Sequence, residues 1–371
     1  MPLLSRIVEN EEAEYDGLLT PAEADWVELQ PLLLKNGYHL RPRYHPNWKP
    51  SWRRLWNFFY KDMWKCPDRI GLRRWNLIDA VRAHDGKRVV IKRVIVEDDN
   101  IGILKYLNQP EMLKDPRNNT VPLLDVISVP KPPGSKETAL IVMPILYPFF
   151  SFMYPFHHAK EVVYAMEQLL LGVQFLHEHY IAHRDACVFN FMMDPTNIIP
   201  TGAHHQDDRL QPDGKTRIQF RDRCSVGPIK SYMIDYEFAD FFPPGNTLCI
   251  GRYGQEKDVP EMSLTEPYDP FKLDVYQLGG VARMLIEEYE GLDFLVPIRD
   301  AMMHPDPTQR LTITESLSLF RNTISSLDAE FLSQSIQMKF RMSMSNPDAL
   351  PPPTSPLPEI RKGFWKFCSR V

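Results

Sequence analysis

The chain has 371 residues, 43% of them hydrophobic and 25% charged, and a formal net charge of −5. That length can bury a substantial core, in one large domain or two lobes, and the composition is that of an ordinary globular protein. The charge supplies no global basic field of the kind that draws nucleic acid, and the five cysteines, Cys66, Cys187, Cys224, Cys249 and Cys368, form no CxxC pair or regular framework, which points to a reducing compartment, cytoplasm or nucleus.

In chain order, the opening "MPLLSRIVENEEAEYDG" has no basic start followed by an apolar core, so no secretory signal is expected. Residues 1–68 read as an N-terminal extension. Its stretch "GYHLRPRYHPNWKPSWRRLWNFFY" interleaves Arg, Trp and Tyr, a pattern used in nucleic-acid stacking. Pro42, Pro46 and Pro50 favour instead an extended segment whose aromatics dock on the neighbouring domain.

From residue 69 strand signals begin. "NLIDAVRAHDGKRVVIKRVIV" predicts a strand, a turn at Asp85-Gly86 and a second strand. "DDNIGILKYLN" predicts a short helix, and "TVPLLDVISVP" and "TALIVMP" two further strands. The apolar run over residues 139–156 nears the length of a membrane span, but Pro144, Pro148 and Pro155 divide it. Prolines would leave helix carbonyls unpaired in lipid, so a buried strand and linker are expected and no membrane partner. "AKEVVYAMEQLLLGVQFLHEHY" carries Val162, Met166, Val173 and Leu176 at helical spacing. "KLDVYQLGGVARMLIEEY" and "TITESLSLF" predict two more helices, the last with Thr312 or Thr314 as cap. Residues 326–371 form a tail whose "NPDALPPPTSPLPEI" is expected to be extended or disordered. Strands first and helices after predict an α+β arrangement.

Three short motifs carry the chemistry, and three more further along are structural. Lys92 ends "VVIK" on the second strand of the hairpin. "HRDACVFN" places Asn190 five residues after the aspartate of His183-Arg184-Asp185. Asp235 follows the apolar "SYMI" in "DYE", and "VPE" ending at Glu261 precedes "DVYQLG" at Asp274 and "HPDPTQRLT" with Arg310. Their order and spacing resemble the eukaryotic protein kinase-like domain, and in detail the kinase-like proteins of basidiomycete fungi, over residues 69–325.

The resemblance implies a bilobal fold, with a small β-rich N-lobe over about 69–145 and a larger helical C-lobe over about 146–325. It implies ATP and Mg²⁺ as cofactors: Lys92 on the phosphates, Met143 in the nucleotide site, and Asn190 and Asp235 as metal ligands. Asp185 would accept a proton from a protein Ser or Thr hydroxyl, and Glu261 would pair with Arg310. The protein substrate or partner is left unnamed.

The chain departs from the pattern in four places. No G-x-G-x-x-G precedes Lys92; Gly71 is the one glycine in "RIGLRRWNLIDA". Asn100 takes the place of the helix glutamate, with Asp99 displaced by about 100° around a helix. Cys187 replaces the catalytic-loop lysine, with Phe189 two residues on, and Glu237 replaces the glycine after Asp235 and Tyr236. Catalysis is therefore expected to be weakened, with Arg252 or Lys257 as a source of the missing charge. A pseudokinase scaffold and a small-molecule phosphotransferase remain alternative readings.

Three side features complete the analysis. Thr247, and after it Tyr253, are candidate phosphoacceptors facing Arg184. His204-His205 with Asp207-Asp208 resemble metal ligands, but their Gly- and Pro-bounded insert reads as a solvated hairpin loop. Cys187 reads as a small buried residue or a reactive thiol.

Overall fold

The computed structural model describes residues 17–53, 62–131, 134–151 and 154–339. The acidic start, much of "WRRLWNFFY", the proline-rich run and Cys368 lie outside the described residues.

The first element is a helix, α1 (Pro21–Lys35), that the sequence reading does not anticipate. Thr20 caps it: its hydroxyl accepts the Glu23 N–H at 3.3 Å, and Glu23 accepts the Thr20 N–H at 2.9 Å. This reciprocal box, with Pro21 at the first helical position, starts a helix of weak amphipathic pattern. The strands β1 (Tyr38–Leu40), β2 (Leu77–Arg82), β3 (Arg88–Ile95), β4 (Asp125–Val129) and β5 (Thr138–Pro144) form one antiparallel sheet in the order β1-β2-β3-β5-β4. Between β3 and β4 lies α2 (Ile101–Leu107).

Alternation along these strands sorts their side chains to two faces. Ile78, Ala80, Val89, Ile91, Leu140 and Val142 face α1, where they pack with Trp26 and Leu33. Val94, Ala139 and Ile141 face the other way, into a cluster that continues through α2 into the helical part. Lys92 pairs with Ile141 and shares its parity, so the pleat sends it to the helical side.

The remaining elements are β6 (Tyr147–Pro148), α3 (Ala159–Glu178), β7 (Ile181–Ala182), β8 (Phe191–Met193), β9 (Ser231–Met233), β10 (Asp240–Phe241), β11 (Cys249–Gly251), β12 (Ser263–Tyr268), α4 (Pro270–Glu288), α5 (Val296–Met302), α6 (Ile313–Ser325) and α7 (Ala329–Leu332). β6, β8 and β9 make a small antiparallel sheet, and β7 pairs with β10. Asp269 caps α4 through the Phe271 N–H at 2.8 Å, and Thr312 forms a capping box with Glu315 at α6. The apolar run that begins at residue 139 contains β5 and β6, and no described helix is long and apolar enough to cross a membrane. The mixed α+β composition is as expected.

Two segments differ from the sequence reading. The extension is not a bystander of the domain: α1 covers one face of the sheet and β1 forms its edge beside β2, pairing Tyr38 with Arg82 and Leu40 with Ala80. The insert between β8 and β9 does form short hairpin bridges, His204 with Asp207 and Leu210 with Arg217, but only its second part, around Asp213 and residues 215–217, is solvated. His204, Gln206 and Asp207 are buried, and the Arg88 guanidinium donates to the Ala203 carbonyl at 2.6 Å.

Candidate functional site

Lys92 reaches the end of β9 and the turn before α2 together. Its ammonium lies 2.7 Å from Asp235 Oδ1 and 3.1 Å from Asp99 Oδ2. Burial alone would favour neutral lysine, but Asp235 and then Asp99 raise its pKa above the usual lysine value. Burial likewise works to raise the Asp235 carboxyl, yet Lys92 outweighs it and holds the group below its ordinary value, with a further contribution from Arg74.

This corrects the expectation for the helix partner. Asp99 is not on the helix, so no helical rotation separates it from Lys92: it precedes the Asn100 cap, and its N–H closes a turn on the Ile95 carbonyl at 3.0 Å. Asn100 instead donates from Nδ2 to the Ala239 carbonyl at 2.9 Å.

Asp185 and Asn190 meet in the loop between β7 and β8. Asn190 Nδ2 donates to Asp185 Oδ2 at 2.8 Å and to its carbonyl at 2.9 Å. The loop rests on Asp274 of α4, a fully buried carboxylate that accepts the His183 N–H at 2.8 Å and the Arg184 N–H at 2.7 Å and lies 2.9 Å from His177 Nε2. Gln277 one turn on accepts the Ala186 N–H at 2.9 Å. His183 Nε2 is 3.0 Å from the Ile234 carbonyl, which ties this loop to the strand end bearing Asp235. Tyr236 packs beneath, its hydroxyl donating to Thr120 Oγ1 at 2.9 Å. Asp235 adopts φ +64°, which aims a carboxylate back at Lys92 where a straight strand would carry it past.

Asp185 is 3% exposed. Its other oxygen, Oδ1, accepts the Gln255 N–H at 2.8 Å. Gly254, at φ +74°, lies so close that an added Cβ would stand 2.5 Å from that oxygen, so a side chain is excluded on both counts. Burial raises the Asp185 carboxyl above its usual value, against the pull of the Gln255 N–H and His183. Cys187 is buried beside it and its thiol is pushed well up by burial and by the Asp185 charge, which makes it the inert small residue and not the reactive thiol.

Met143 is half-buried at the end of β5, opposite Val90. The β1–β2 connection passes the site without a glycine-rich turn: Gly71 packs against Glu23, whose Oε1 would be 3.1 Å from an added Cβ. Arg74 on that connection, which the sequence reading did not single out, adds after His183 to the lowering of the Asp235 carboxyl. Arg252 and Lys257 are exposed, with Lys257 Nζ on the Arg252 carbonyl at 3.4 Å. Arg184 is already engaged: its Nε donates to the Phe238 carbonyl, its guanidinium stacks on Tyr253 at 4.1 Å, and Asp240 is 3.7 Å away. Thr247 is exposed. Arg310 and Glu261 form a buried bidentate pair, with Nη2 to Oε2 at 2.9 Å. The His204–Asp207 insert is no metal centre. Arg41 Nη1 stands 3.4 Å from His204 Nε2, Arg209 occupies Asp207 at 2.8 Å, and both His204 and His205 are lowered to about 4, chiefly by burial.

No protein-family model matches the chain. Casein kinase II subunit alpha' of Saccharomyces cerevisiae is 25% identical over 175 residues, 46% of this chain and 41% of the relative. The chain therefore spans about two fifths of the length of the curated relative it matches. This similarity, to a Ser/Thr protein kinase subunit, supports a kinase-like family and a transferase relation.

Proposed function

We propose that the chain is a bilobal, kinase-like protein that binds ATP with Mg²⁺ and transfers the γ-phosphate to protein Ser or Thr hydroxyls at a weakened rate. The observation that carries this reading is the convergence of Lys92, Asp99 and Asp235 within 3.1 Å, beside the hydrogen-bonded Asp185 and Asn190. The domain limits 69–325, the likeness to basidiomycete kinase-like proteins and a cytoplasmic or nuclear location belong to the same reading.

The donor set fits the cofactor. Asp235 and the amide oxygen of Asn190 are hard oxygen donors suited to Mg²⁺. Bound Mg²⁺ would neutralise developing phosphate charge. Lys92, held charged by its two carboxylates, would orient the phosphates, and Arg74 would add a second cation in place of the missing catalytic-loop lysine. Asp185 would take the hydroxyl proton, a step that requires the Gln255 N–H to leave Oδ1.

Nucleotide affinity measured with and without magnesium tests the reading. Wild type should bind more tightly with magnesium, and Asp235→Asn should abolish the difference. Magnesium-independent binding in the wild type would overturn the site. A second reading, a pseudokinase that acts as a binding module, is favoured by the near-complete burial of Asp185. Transfer of labelled phosphate to generic protein substrates, lost in Asp185→Asn, separates the two.

A further inference from the structure

Away from this site, the start of α3 and the second half of the insert bring four chemically mixed side chains together. His158 and Glu161 come from the first turn of the helix, and Asp222 and Cys224 from a single tight turn before β9. One ligand atom from each lies within 4.8 Å of all the others. His158 Nδ1 is 3.2 Å from Cys224 Sγ and 3.7 Å from Glu161 Oε1. Tetrahedral zinc, with bonds of 2.0–2.3 Å, sets such ligand atoms about 3.3–3.6 Å apart. Two of these separations bracket that range, and the widest needs a contraction of only about 1 Å.

We propose that His158, Glu161, Asp222 and Cys224 form a structural zinc site. The donors pair one imidazole nitrogen and one sulfur with two carboxylates, a set suited to zinc and unsuited to Mg²⁺ or Ca²⁺, which take oxygen ligands. The ligands arrive as two short chelates, H-x-x-E and D-x-C, so each pair is fixed by its own turn. Neighbouring groups already hold the ligands in place. The Cys224 N–H donates to Asp222 Oδ1 at 2.7 Å and to Glu161 Oε1 at 2.9 Å, the His157 N–H donates to Glu161 Oε2 at 2.7 Å, and His157 Nδ1 lies 2.9 Å from Asp222 Oδ2. Such outer contacts orient metal ligands and set their basicity.

Charge closes the account. Two carboxylates and a thiolate carry three negative charges, offset by the two of zinc and by the buried Arg223 guanidinium, whose charge acts on Glu161. The positive end of the helix dipole at the start of α3 favours the anionic ligands. Binding would release the Cys224 thiol proton. Glu161 and Cys224 also line an open cleft with Lys160, Tyr164 and Ile229, which gives an ion a way in. The consequence would be a clip that fastens the insert to α3, beside the strands that deliver Asn190 and Asp235, whatever reaction those residues perform.

The test uses the full chain purified without chelators. Elemental analysis should find about one zinc per chain. After exchange into cobalt(II), the intense visible absorption of a tetrahedral ion and a thiolate-to-cobalt charge-transfer band should appear. Cys224→Ser should abolish the charge-transfer band, and His158→Ala should weaken cobalt affinity by at least about 10–100-fold. A zinc-free protein whose added cobalt shows only the pale spectrum of the hydrated ion would overturn the proposal, as would an unchanged spectrum in Cys224→Ser. Should a variant fail to fold, alkylation of the wild type decides: zinc should protect Cys224 from iodoacetamide, mapped by peptide mass spectrometry, and equal labelling with and without zinc would refute the site.

Discussion

At the scale of single residues, the candidate site is an arrangement of charges that satisfy one another. Lys92 stays protonated because two carboxylates flank it, and Asp235 stays ionised because Lys92 faces it. Replacing Lys92 would leave Asp235 partly buried and without its ion-pair partner, whereas replacing Asp235 would leave Lys92 with Asp99 alone. Beyond Lys92, His183 and then Arg74 bear on Asp235 in the same sense. Arg74→Ala should weaken magnesium-nucleotide affinity about tenfold, the worth of one charge-assisted hydrogen bond, as read by calorimetric titration; unchanged affinity would remove Arg74 from the site. Cys187 borders Asp185, with its N–H on the Asp185 carbonyl at 2.8 Å, and occupies the position of a missing cation. Cys187→Lys should raise phosphate transfer about tenfold or more, since one positioned donor to a transferring group is worth ~10²–10³ in rate. No change in a radiolabel assay would mean that Arg74 already supplies the charge.

At the scale of elements, the insert between β8 and β9 has the clearest pH signature. His204 is 3% exposed; the Gln206 N–H donates to its Nδ1 at 3.2 Å and the Arg41 guanidinium faces its Nε2. With Nδ1 accepting, the single ring proton of neutral His204 sits on Nε2, and burial, followed by the nearby Arg41 charge, lowers the group to about 4. Its unfolded pKa is about 6.5, so between those values the unfolded chain binds the proton and the native chain does not. The stabilisation is complete above about pH 6.5 and is lost as pH falls towards 4, by up to about 3 kcal/mol. Urea midpoints at pH 7.5 and 5 should differ accordingly, and His204→Gln should reduce the dependence, leaving the part that belongs to His205, which burial also lowers to about 4. An equal slope in both proteins would show that His204 does not couple folding to pH. The same insert shows why its docking escaped a one-dimensional reading: its glycines and prolines do mark a hairpin, but Arg41, Arg73, Asp79 and Arg88, all more than 100 positions earlier, create a surface for it.

At the scale of the whole molecule, the N-terminal segment is part of the fold it was expected merely to touch. Arg43 is fully buried and donates to both oxygens of Glu23, at 2.7 and 2.9 Å, and to the carbonyls of Gly17, Leu18 and Asp68. Arg43→Ala would leave Glu23 buried without its cation and should cost about 3–5 kcal/mol, seen as a lower Tm in calorimetry. A Tm within error of wild type would mean that the segment is dispensable.

Helices α3, α4 and α6 and the β2–β3 hairpin were legible in the sequence, because periodicity, caps and turn residues are local properties of the chain, whereas the grouping of Lys92, Asp185, Asn190 and Asp235 was an expectation from the resemblance of their motifs to the protein kinase-like domain. Three features belong to tertiary structure alone. Tyr38–Leu40 becomes a strand only because β2 offers an edge. Asp99 supplants Asn100 as the partner of Lys92 because the chain turns before α2 begins. Gln255 caps Asp185 across 70 residues. Each depends on an unpaired hydrogen-bonding group or charge that distant segments supply, and no local pattern records where such a partner will stand.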